Sequence, residues 1–351
     1  MSTKSITMAA AGAAGGGALE KSIAIAHDVT PFISVYPWSS STGFGSKFSN
    51  PASLPSGTGL SVQFSATGEY LAIGHGVNTY AAVYPWSSSG FGTKYSNPAT
   101  LPGGWCYGAA FSPDASSVAF SSGGFPYVFA YPWSSSGFGT KYANPGTVPN
   151  GQGNAVAFSK AGNAIAVCHT SSPRITAYPW NSSTGFGTKY TNPSTLPASE
   201  AWAVTWSHND AYIAVGHSTS PFISVYPWNS STGFGSKFSN PASLPPSACF
   251  GVSFLIDDSA LATAHGTSPY TSVYSWSSSG FGTKYSDPST SLGSAGYGVA
   301  FSPSGTAIAF ASSSSPRIHA YPWSSSGFGS KYSNPGTLPT GAGYGVAWSI
   351  V

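Results

Sequence analysis

Along most of the chain, short runs of alternating apolar and small or polar side chains are cut by clusters of Gly, Pro, Ser and Asn. A period of two, rich in β-branched and aromatic residues, predicts strands. No stretch sustains a helical period. The first strand of a unit is represented by Tyr297-Gly298-Val299-Ala300-Phe301, followed by the turn Ser302-Pro303-Ser304-Gly305. The second is Ala307-Ile308-Ala309-Phe310, and the third is Ile318-His319-Ala320-Tyr321, ended by Pro322. A fourth is expected around Thr283-Lys284-Tyr285 in its own copy, ended by Asp287-Pro288.

These elements repeat. Tyr-Pro-Trp begins at Tyr36, Tyr84, Tyr131, Tyr178, Tyr226 and Tyr321, with Tyr-Ser-Trp at Tyr274, at intervals of 47 or 48 residues. The extra residue is a Thr in the loop after Trp, so the rest of each unit keeps its register. Four short strands in a repeat of this length predict an all-β, seven-bladed β-propeller. The chain ends on a lone first strand, Gly345-Val346-Ala347-Trp348, and its first repeat opens on a second strand, Ser22-Ile23-Ala24-Ile25. Paired, they complete one blade and close the ring. The domain reading is a Gly/Ala-rich tail over 1–17, a possible anchor, and a propeller over 18–351. First strands carry large residues on one face (Val62, Phe64, Val156, Phe158) and small ones on the other (Gly108, Ala110, Gly298, Ala300), which lets neighbouring blades interdigitate.

The Ser-Pro-x-Gly turn, the apolar strand after it and the strand ending in Trp resemble WD40-type blades over nearly the whole chain. In place of the family's Trp-Asp stand Trp-Ser or Trp-Asn, as in Trp38-Ser39 and Trp180-Asn181.

Composition narrows the function classes. Charged residues make up 6% of the chain, and 12 Lys+Arg against 9 Asp+Glu give a net charge of +3. The only arginines are Arg174 and Arg317, so no basic patch for nucleic acid exists. No apolar run reaches the length of a membrane span. Cys106, Cys168 and Cys249 form neither a disulfide framework nor a metal motif. No metal or cofactor is expected. The N-terminus does not read as a secretion signal.

Comparison between repeats singles out positions for chemistry. A Lys recurs in every fourth strand (Lys47 to Lys331) and reads as an edge gatekeeper. His27, His75, His169, His217 and His265 share one position at the end of the second strand, and read as hydrogen-bonded to the adjoining turn. The loop into the first strand varies most. It offers Trp105, Tyr107, Trp202, Phe250, Tyr297 and Tyr344, with Asn154 in one blade, and the loop bearing Arg174 and Arg317 is expected on the same face. Aromatics with amide and hydroxyl partners suit sugar rings or a protein surface. No paired carboxylates and no nucleophile elbow are evident, so no catalytic residue is expected and the chain reads as non-enzymatic.

Near-identical blades, low charge and a small-residue N-terminus resemble the repetitive propeller proteins of tailed, especially marine, bacteriophages. That resemblance implies a virion component, a decoration or tail/adhesion protein. It would be held to other virion proteins by its N-terminal tail and would offer a multivalent face to a host-surface glycan or protein. The alternatives are a soluble lectin-like propeller, in the cytoplasm or secreted without a recognisable signal, and a WD40-like interaction scaffold.

Overall fold

The computed structural model describes residues 20–350, which form seven four-stranded antiparallel sheets whose innermost strands contact one another around a closed ring. The chain is a seven-bladed β-propeller, with no helix among the described residues. The expected anchoring tail, 1–17, lies outside them. The first blade is composite: Gly343–Ser349 pairs with Ser22–His27, which continues to Ile33–Ser39 and Gly43–Phe44. The other six blades follow in chain order, beginning at Gly59, Cys106, Gly153, Ala201, Cys249 and Gly296.

Period-two patterning in the second strands decides how blades pack. In Ala164–His169 every residue is buried. Ala164, Ala166 and Cys168 face the large Trp206, Ile213 and Tyr226 of the next blade. Ile165 and Val167 face the preceding blade, among Ala110 and Ala119. Small therefore meets large across each boundary. On the inner strands the fit is tighter still: a Cβ on Gly108 would lie 3.0 Å from the Val156 backbone nitrogen.

Each residue of Tyr-Pro-Trp has a separate task. The Tyr hydroxyl donates to a carbonyl 31 residues upstream, in the loop leaving the previous blade. Tyr84 reaches Ser53 at 2.7 Å and Tyr226 reaches Thr195 at 2.8 Å. Tyr36 makes the same bond across the ring closure, to Thr337 at 2.8 Å. Each Trp lies edge-on to the Phe of its own outer strand, such as Trp38–Phe44 at 5.1 Å. It also meets an aromatic from the previous blade, such as Tyr332 against Trp38 at 4.9 Å.

The Pro corrects the expected fourth strand. In six blades the outer strand is only two residues, Gly-Phe, as at Gly90–Phe91, and the Lys segment lies beyond it. Proline has no N–H to offer the outer ladder, so pairing stops beside it. Where Ser275 replaces Pro, the outer strand extends over Gly280–Lys284, and Tyr274 pairs with Lys284. The lysines clasp the loop beyond: Lys94 Nζ donates to Asn97 Oδ1 at 2.7 Å and Lys141 to Asn144 at 2.6 Å.

The His positions are buried, and all but His75, whose counterpart on the next strand is Ala82, pair with a hydroxyl. His27, His217 and His265 Nε2 lie 3.1 Å from the hydroxyls of Ser34, Ser224 and Ser272, and His169 lies 2.9 Å from Thr176. In the last blade the partners are exchanged: Ser312 holds the His position and His319 the Ser position, still 3.1 Å apart. Burial drives the imidazole pKa down from 6.5 to about 4 at His27, His75, His169, His217 and His265. At His319 it falls to about 3.

Two outcomes follow from this packing. Tyr226→Phe strands a carbonyl and costs about 1 kcal/mol, read as a lower urea midpoint at constant slope; an unchanged midpoint would remove the staple from the account. Between pH 6.5 and 4 the unfolded chain binds protons that these imidazoles refuse in the fold. Stability is therefore full above pH 6.5 and is lost as pH falls toward 4. Urea titrations at pH 7 and pH 4.5 should differ accordingly, and equal midpoints would contradict buried neutral histidines.

Candidate functional site

The second residue of every inner strand occupies one structural position, and the seven converge at one end of the central channel. They are Leu60, Tyr107, Asn154, Trp202, Phe250, Tyr297 and Tyr344, and they line a cavity of about 370 Å³. That is within the range of small-ligand sites. The position lies on the innermost strands, so seven side chains, one from each blade, share one mouth of the channel. Asn154 is buried and the other six are half-buried.

The collar is chemically asymmetric. Tyr297 and Tyr344 stack at 5.2 Å, Phe250 leans on Tyr297 at 5.3 Å, and Trp202 meets Phe250 edge-on at 6.0 Å. These rings form a continuous aromatic arc. Opposite it runs a polar arc. Gln152 Nε2 donates to Asn154 Oδ1 at 2.9 Å, and Asn154 Nδ2 donates to the Ala201 carbonyl at 2.9 Å. Burial raises the Tyr107 pKa, and its hydrogen bond to Gln152 opposes that rise. Trp202 Nε1 donates to Ser218 Oγ at 2.6 Å, and Ser218 donates to Glu200 Oε1 at 3.0 Å. Glu200 is thus a carboxylate tied to the collar through one hydroxyl.

Six of the predicted residues share this cup: Tyr107, Asn154, Trp202, Phe250, Tyr297 and Tyr344. Three do not. Trp105 stands outside, half its surface exposed. Arg174 and Arg317 turn to backbone, donating to the carbonyls of Pro197 (3.2 Å) and Pro339 (3.0 Å). Both sit at positive φ, near 70°, and their guanidinium groups tie loops together. Leu60, Gln152 and Glu200 went unpredicted. Gln152 and Glu200 occupy the same repeat position as Trp105, two residues before the collar, where three other blades have Ala248, Ala295 and Ala342. That departure from Ala was the available signal.

At the channel's other end the acids bridge blades as well as forming turns. Asp210 accepts the Lys160 and Ala161 N–H groups, each at 2.6 Å, and Asp258 accepts that of His208 at 2.7 Å. No group of His, Cys, Asp and Glu suited to a metal occurs among the described residues. The three cysteines are buried and free.

No protein-family model matches the chain, and no curated protein matches it in sequence. Solved structures do match. A periplasmic gluconolactonase of Pseudomonas aeruginosa superposes with a TM-score of 0.69 at 14% identity, over 93% of this chain and 99% of that one. A Bacteroides fragilis protein provisionally described as a 6-phosphogluconolactonase gives 0.75 at 10%, over 94% and 98%. A chain of the mitotic checkpoint complex gives 0.60 at 17%, over 85% of each. At these identities the likeness shows the shared propeller fold, for which WD40-like is a fair coarse description. It gives no support to the phage resemblance. The expectations of a non-enzymatic chain and of a virion location are corrected by these neighbours, which include enzymes and one periplasmic protein. The physical source of the error is the weight given to missing charged motifs. A propeller assembles a pocket from one residue per blade, and such a pocket needs no linear motif.

Proposed function

We propose that the aromatic cup binds an uncharged sugar-derived lactone ring and that the protein hydrolyses it. The observation that carries the reading is the collar itself: an open cup whose wall is an aromatic arc facing one buried amide. Aromatic faces take the apolar face of a sugar ring, and an amide with a tyrosine hydroxyl takes its polar edge. The propeller neighbours, one named as a gluconolactonase and others provisionally as 6-phosphogluconolactonases, support the reaction class.

In such a reaction water adds to the lactone carbonyl, the ring C–O bond breaks, and the ring oxygen takes a proton. The Asn154 amide, with one N–H held by the Ala201 carbonyl, offers its second N–H to the lactone carbonyl, and the aromatic arc fixes the ring. We assign the base to Glu200, which draws a proton from the water at the rim beside Trp202 and passes it to the leaving oxygen. The substrate carries no phosphate. The cup has no Lys or Arg, the two arginines are committed to backbone, and an anion taken out of water without a partner is costly.

Purified protein should accelerate acid release from glucono-1,5-lactone above the spontaneous rate in a pH-stat. Glu200→Gln should lower kcat by about 10²-fold while leaving KM unchanged. 6-Phosphogluconolactone should be used about tenfold less well than the neutral lactone, through the desolvation cost of its phosphate. Acid release at the spontaneous rate, or preference for the phosphorylated compound, would refute the reading.

A further inference from the structure

The third blade departs from the repeat beside the cup. Gly103 and Gly104 precede its inner strand, and Gly123 and Gly124 follow its second strand. The residue matching Gly124 is Val29, Val77, Ser171, Thr219, Thr267 or Ser314 in the other blades, and only this blade has an aromatic, Phe125, next in line. None of the four glycines has the left-handed φ that demands glycine. What they permit is close approach: a Cβ on Gly124 would lie 2.1 Å from the Gly103 carbonyl oxygen, and one on Gly104 would lie 3.0 Å from Gly124 N. The two loops touch backbone to backbone and leave an open groove of about 330 Å³.

Trp105 walls this groove. Its indole rests on Gly76 of the second blade, where a Cβ would lie 3.4 Å from Cδ2. Half of the side chain is still exposed, as is 65% of Phe125. An exposed indole held against its neighbour is a flat apolar platform that loses little freedom when covered. The groove adjoins the cup: Tyr107 is a wall of both, and Gln152 lines the groove while bonding to Asn154. No charged residue lines either cavity.

We propose that this groove is a second sugar subsite, so that the substrate is a glycosylated lactone. Its lactone ring enters the cup, and its attached neutral sugar stacks on Trp105 with hydroxyls toward Gln152. The inference rests on the reading of the cup as a sugar-lactone site. It also places an upstream reaction of a stated class: oxidation of the reducing end of a disaccharide, which yields such a lactone.

The test compares glucono-1,5-lactone with cellobionolactone for turnover, and the corresponding lactams for binding by calorimetry. The wild-type protein should bind the disaccharide lactam about tenfold more tightly than the monosaccharide lactam. Trp105→Ala should abolish that preference and leave turnover of gluconolactone unchanged, and Trp105→Phe should retain most of it. Gly123→Val, whose Cβ would lie 3.4 Å from Tyr107, should obstruct the groove and lower the disaccharide preference. Gluconolactone turnover without disaccharide preference would overturn the subsite and leave the cup reading standing. Disaccharide binding that depends on Trp105, with neither lactone turned over, would overturn hydrolysis and keep the subsite. Binding of neither lactam would overturn both.

Discussion

Everything in this molecule depends on the contact between one blade and the next. A four-stranded sheet this small cannot bury both its faces alone, and no helix or disulfide among the described residues helps it. The boundary is built from alanine rows against large side chains, with one Tyr hydroxyl and one Trp per blade reaching across to its neighbours. Such a boundary needs no ionic pairing. Few charges are present, and six of the seven recurring lysines are spent on loop amides, the seventh, Lys284, on Asp287 within its own loop. The low charge that looked like an oddity of composition is the counterpart of an interface made by shape and by bonds to backbone.

Much of this was legible because repetition stands in for a comparison among relatives. The interval between Tyr-Pro-Trp triplets gave the blade, the large and small faces gave the packing, and the unmatched strands gave the closure. The exchange of His and Ser between positions 312 and 319 preserves one hydrogen bond, and it identifies the imidazole position as structural from the chain itself. The outer strand was misplaced because its position is set by a missing proton. Pro37 and its equivalents stop the ladder, and the one blade with Ser275 shows the longer strand that patterning had suggested for all.

The cup was half legible. Variability among the loops located six of its residues, yet variability does not say which side chains converge. Arg174 and Arg317 vary like ligand-binding residues but bond to proline carbonyls. Trp105 lies outside the cup for the reason that Gln152 does: both belong to the tier above the collar. The candidate site is thus separated from the residues that hold the fold. The tyrosines, prolines and tryptophans recur to hold the ring, while the collar and the tier above it differ from blade to blade.

The composite first blade has a mechanical consequence. Ser22 and Ser349 are opposite one another at the end of their shared ladder, so the chain enters and leaves the ring at one edge of the clasp. Tension on those two points would open the ladder one hydrogen bond at a time, as a zipper. The same clasp resists thermal opening as a unit, because its side chains are locked between two neighbouring blades. The ring therefore combines a cooperative response to heat with a low threshold to directed force.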